Sequence, residues 1–79
     1  MTEMKKLYDE AIDQSAYVFS IWEKDGFKSE RYAEEDAKKK GLILAIRVLG
    51  KYDEYRAYAK TEEAKAFRKD MRQFYRETL

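Results

Sequence analysis

Covalent catalysis needs an activated serine, cysteine or threonine beside a base. This chain has no cysteine and no histidine, and its three serines, Ser15, Ser20 and Ser29, each have a structural reading. A serine–lysine pair is formally available, but no spacing points to one. Paired carboxylates hydrolyse glycosides when they face each other across a bond. Glu34, Glu35 and Asp36 are consecutive, and consecutive side chains on a helix diverge by about 100°. They read as the solvated start of a helix. No glycine-rich phosphate loop occurs, and no calcium-loop spacing follows Asp25. The usual zinc ligands are missing with the histidines and cysteines. A chain of 79 residues also leaves little room for a deep pocket. The sequence therefore predicts a protein that is no enzyme and carries no metal or cofactor.

Cations give the more distinctive spacing. Projected at about 100° per residue, positions 62–78 separate into three sectors. Ala64, Phe67, Met71, Phe74, Tyr75 and Thr78 share an apolar arc. Lys65, Arg68, Lys69, Arg72 and Arg76 share the next sector and form a basic ridge about three turns long. Glu62, Glu63, Asp70 and Glu77 occupy the third sector. A ridge of this kind suits an acidic protein partner or the phosphates of a nucleic acid. It equally suits solvent and the acids of neighbouring helices. The net charge of +1 argues against nucleic acid, because a basic domain is its usual footprint. No helix-turn-helix, zinc-finger or RNA-binding aromatic motif is present.

Two further clusters are candidates for recognition. Tyr52, Tyr55 and Tyr58 recur at helical spacing among Lys51, Arg56 and Lys60. Tyrosine and arginine are common interface anchors, and tyrosine rings can stack on bases. The same spacing also makes a core stripe whose hydroxyls reach water. The run Leu42–Leu49 is apolar around most of a helix, which implies burial on several sides. In a small bundle some of it would stay uncovered by the chain itself. Leu42, Ile43, Ile46 and Leu49 are therefore the expected oligomer interface, as in a homodimer, with Tyr17, Ile21 and Trp22 able to extend it.

These residues need helices to hold them. Within 2–24, Met4, Leu7, Tyr8, Ala11, Ile12, Ser15, Val18, Phe19 and Trp22 fall in one arc about 140° wide. That arc is the expected buried face, and Tyr17 and Ile21 lie outside it. Lys24-Asp25-Gly26 interrupts the period as a turn, Ser29 is placed to cap the next helix, and Phe27 to staple it. This second helix is expected over 30–59, bent near Gly50, with Ala33, Ala37 and Gly41 as a stripe of small residues open to close helix packing. A strand over 42–49 is the competing reading, but no other run could pair with it unless a dimer supplied one. Thr61 followed by Glu62 and Glu63 restarts a third helix over 62–78.

Composition agrees with this outline. Charged residues make up 42% of the chain and apolar ones 44%, so it is neither a disordered segment nor a polybasic arm. Proline is absent, and no apolar run approaches the roughly 18 residues of a membrane span. The expectation is one all-α domain over 1–79, a compact three-helix bundle in the cytoplasm with no membrane partner. Its expected role is to bind another protein, one with an acidic surface, as an inhibitor, adaptor or regulatory subunit. Small proteins of this kind are common among phages and mobile elements. The alternatives are a dimeric nucleic-acid binder using the ridge and a structural homo-oligomer.

Overall fold

The computed structural model describes residues 2–79 as four α-helices: α1 (Thr2–Asp25), α2 (Glu30–Val48), α3 (Tyr52–Ala59) and α4 (Glu62–Thr78). The class is all-α, with no strand among the described residues. No described helix is long and apolar enough to cross a membrane.

Local chemistry sets most of the boundaries. Gly26 takes φ of 80° in the turn after α1, a conformation that costs glycine no Cβ clash. The Ser29 hydroxyl accepts from the Tyr32 amide at 2.9 Å, and the Thr61 hydroxyl from the Ala64 amide at 3.2 Å. Both expected N-caps therefore form. Phe27 is 65% exposed, so its expected stapling contributes little burial.

The helix expected over 30–59 is two helices. Gly50 has φ of 72° just beyond the cap residue Leu49. Its amide donates to the Arg47 carbonyl at 2.9 Å, and the Lys51 amide donates to the Ile46 carbonyl at 3.0 Å. This reciprocal pair closes α2 as a Schellman motif. The tyrosines keep helical spacing because α3 starts two residues later, at Tyr52.

α1 is the central element. α2 runs back along it, as Gln14 Nε2 bonded to the Glu35 carbonyl (2.8 Å) and Arg31 paired with Asp25 (2.9 Å) show. α4 runs parallel to α1, with Ala64 packed near Tyr8, the Tyr75 hydroxyl on Asp13 and Arg76 near Glu23. α2 and α4 thus flank α1, and no Cα of one lies within 8 Å of the other. α3 bridges them at one end only. There the core closes around Tyr8, Ala11, Ile12, Ile46, Tyr55 and Ala64.

This arrangement changes which residues are covered. The apolar arc of α1 is buried in its first half, at Tyr8, Ala11 and Ile12. In its second half only Val18 stays buried, while Phe19 and Trp22 are 39% and 44% exposed. Ile21, placed outside the arc by the wheel, is fully buried, and Tyr17 packs its ring 4.8 Å from that of Tyr75. The cause is geometric: beyond the closed end, α2 and α4 grip α1 from its sides and leave the middle of the arc open. Phe74, assigned to the core face of α4, is likewise exposed. Ala33, Ala37 and Gly41 face solvent, with nothing within 4 Å of a Cβ built on Gly41, so no helix approaches that stripe.

Candidate functional site

The second half of α1, with Phe19 and Trp22 exposed, is the floor of an open cleft. Ser15, Ala16, Val18, Phe19 and Trp22 line it from α1, Tyr32 and Lys39 from α2, and Arg68 and Arg72 from α4. Its volume is about 470 Å³. The Phe19 and Trp22 rings lie 5.6 Å apart and tilted, forming one aromatic surface.

The wall along α4 is the inner edge of the basic ridge, and the ridge proves to be graded. Arg68 and Arg72 are half-buried beside the cleft, whereas Lys65, Lys69 and Arg76 are exposed. The Arg72 guanidinium stacks 4.0 Å from the centre of the Phe19 ring, an attraction between the cation and the π face. Its Nε is buried and finds no acceptor among the described residues. Arg68 reaches the Ala59 carbonyl at 3.5 Å, near the limit of a hydrogen bond. Weak ion pairs hold the ends of the ridge: Lys65 with Glu62 at 3.8 Å and Arg76 with Glu23 at 3.6 Å. Among the described residues Arg68, Lys69 and Arg72 form no salt bridge. The centre of the ridge therefore has no acidic side chain within 4.0 Å among the described residues.

On α2 the positive charge is better matched. Lys39 and Lys40 both reach Asp36, at 3.3 and 3.0 Å, and these contacts, the Lys40 bond foremost, hold that carboxyl below its usual range. Lys38 does the same for Glu35 at 2.9 Å.

The tyrosines of α3 serve chiefly as structure. Tyr55 lies in the core. The Tyr58 hydroxyl donates to Asp9 at 2.6 Å and so ties α3 to α1. Tyr8 donates to Glu54 at 2.9 Å, and burial followed by that carboxylate pushes its pKa up to about 12. Tyr75 is likewise pushed up to about 12, by burial and then by Asp13. Lys5 sits between Asp9 (3.0 Å) and Glu63 (3.2 Å), which hold its ammonium above the usual lysine value. Tyr52 packs partly against the core, with the guanidinium of Arg47 at 4.4 Å and that of Arg56 at 6.0 Å from its ring centre.

The expected oligomer residues divide. Ile46 is fully buried in the core, so this structure does not present it as an interface, and Leu42 and Ile43 pack partly against the same core. Leu49 is exposed beside Leu44 and Val48, at 57%, 60% and 78%. Among the described residues no group of three or more acids is placed to hold a metal ion.

Helical spacing brings together the five ridge cations but does not reveal the cleft next to them. It marks none of Val18, Phe19, Tyr32 and Lys39 as site residues, and Trp22 only as an extension of the Leu42–Leu49 patch. One signal is available. The arc of α1 holds two large aromatics three residues apart at its end, Phe19 and Trp22, beyond the reach of the short connection that caps the opposite end. No family model, no curated protein and no solved structure matches this chain.

Proposed function

We propose that this protein is a non-catalytic interaction module that binds an acidic surface on another protein and acts as an inhibitor, adaptor or regulatory subunit. The supporting observation is the centre of the α4 ridge, where Arg68, Lys69 and Arg72 have no acidic partner among the described residues. Unpaired surface cations aligned on one rigid helix steer an oppositely charged partner and set its orientation more than they add raw affinity. Binding of this kind weakens as salt screens the field.

Affinity capture tests the proposal directly. The protein and its Arg68→Glu/Arg72→Glu/Arg76→Glu variant serve as baits in extracts of the native host, with and without nuclease treatment, at low and high salt. The reading requires a protein held by the unmodified bait at low salt and released by either charge reversal or high salt. A partner that ignores both, or retention of DNA or RNA in place of protein, removes it.

A second reading rests on a separate observation, the exposed Leu44, Val48 and Leu49 side chains at the end of α2. Contiguous apolar surface of this sort marks association, and a homodimer through it would be seen as a doubled mass in light scattering. A monomer at high concentration disposes of that reading.

A further inference from the structure

We infer that the cleft between α2 and α4 is a seat for one amphipathic helix of the partner, with its apolar stripe on Phe19 and Trp22 and its acidic flank against Arg68 and Arg72. This rests on the interaction-module reading above and names the form of its partner. Three observations carry it.

The first is architectural. α2 and α4 flank α1 with no Cα of one within 8 Å of the other, so the cleft floor lies in a trough with a helix on each side. A helix lying in such a trough packs its ridges into the grooves of the flanking helices, as in helix-in-groove recognition. The volume of about 470 Å³ takes a few large side chains, the number that one stripe at i, i+3 or i+4, and i+7 presents.

The second is chemical. The floor is aromatic and half-exposed at Phe19 and Trp22, while the α4 wall is cationic, with a buried Arg72 Nε that has no acceptor among the described residues. An incoming carboxylate satisfies a guanidinium through charge-assisted hydrogen bonds. The α2 wall adds Lys39, whose charge Asp36 already partly balances. The acidic flank of the ligand is therefore assigned to the α4 side.

The third disfavours the α2 end of a second copy as the occupant. The exposed apolar patch at the end of α2, Leu44, Val48 and Leu49, is surrounded in sequence by Lys40, Arg47 and Lys51. It carries the same sign as the cleft wall, and like charges placed together disfavour docking. Charge complementarity selects an acidic helix from a different protein.

The test is selection from a displayed library of helical peptides against the whole protein. Trp22, the single tryptophan, reports occupancy. Selected peptides should carry a large apolar stripe flanked on one side by Asp or Glu, and should shift Trp22 emission to the blue as the ring loses water. Phe19→Ala should weaken them at least tenfold, and Arg68→Glu/Arg72→Glu should abolish them. Circular dichroism of each variant, unchanged in helical signal, shows that the fold persists. Acidic peptides without a stripe, binding Phe19→Ala as well as the unmodified protein, overturn the cleft assignment and leave the ridge reading standing. Peptides selected without acidic residues overturn both. An empty selection overturns the cleft assignment, and host capture then judges the ridge alone.

Discussion

The two ends of this molecule are built from one continuous apolar arc on α1, yet they have opposite fates. At the end near Tyr8, α3 and the termini of α2 and α4 close over the arc, and Tyr8 and Ile12 are buried there. At the end near Trp22 the same flanking helices hold only the sides of α1, and the arc meets water. One helix face thus supplies a core at one end and an open aromatic surface at the other. The difference comes from an eight-residue helix present at one end and absent at the other.

If this contrast is right, truncation should cost far more at the closed end. Ile46→Ala removes a fully buried side chain and should lower unfolding free energy by about 2–4 kcal/mol, a large share of what a domain this small possesses. A urea denaturation midpoint measures it. Phe19→Ala should cost only about 1 kcal/mol, because 39% of that side chain already faces water. Equal costs at the two positions would break the comparison.

Alkali should act first on the tyrosine ties. An unfolded tyrosine ionises near pH 10, whereas Tyr8 and Tyr75 hold their protons to about 12. Between those values the unfolded chain has released protons that the folded chain retains, so stability falls as pH rises. Below about pH 10 this contribution is fully present. Lys5, also raised, acts in the same direction. Urea midpoints should decline across that window, and Tyr8→Phe/Tyr75→Phe should flatten the decline.

Smaller effects sharpen the picture of how the closed end is made. Gly50→Ala forces a side chain into positive φ and should destabilise by about 1 kcal/mol, since the reversal into α3 depends on it. Tyr58→Phe removes the hydrogen bond to Asp9 and should also cost about 1 kcal/mol. The smallest stability change belongs to the ridge: Lys69→Glu, on an exposed and unpaired residue, should stay within about 0.5 kcal/mol in thermal denaturation. Its effect should fall on partner binding instead.

Much of this is legible in the chain. The turn at Gly26, the caps at Ser29 and Thr61 and the helical class follow from local chemistry. The basic sector of α4 follows from spacing alone. The end of α2 is harder to read, because glycine bends a helix or ends it according to its φ, and composition does not reveal φ. The tyrosines hide this further by resuming helical spacing two residues beyond the break. Phe19, Trp22 and Ile21 are misplaced by the wheel for a different reason. A wheel projects a helix down its axis and discards position along it, so it cannot tell a covered half from an open half.

What the sequence determined by itself was therefore everything set within a few residues: helix identity, capping, and the sorting of charge and apolar side chains into faces. Only the tertiary structure decided which stretch of each face is covered, because cover depends on where the neighbouring helices start and stop along α1. For this protein that decision separates core from cleft: Ile21 lies inside, and Trp22 lies beside the arginines.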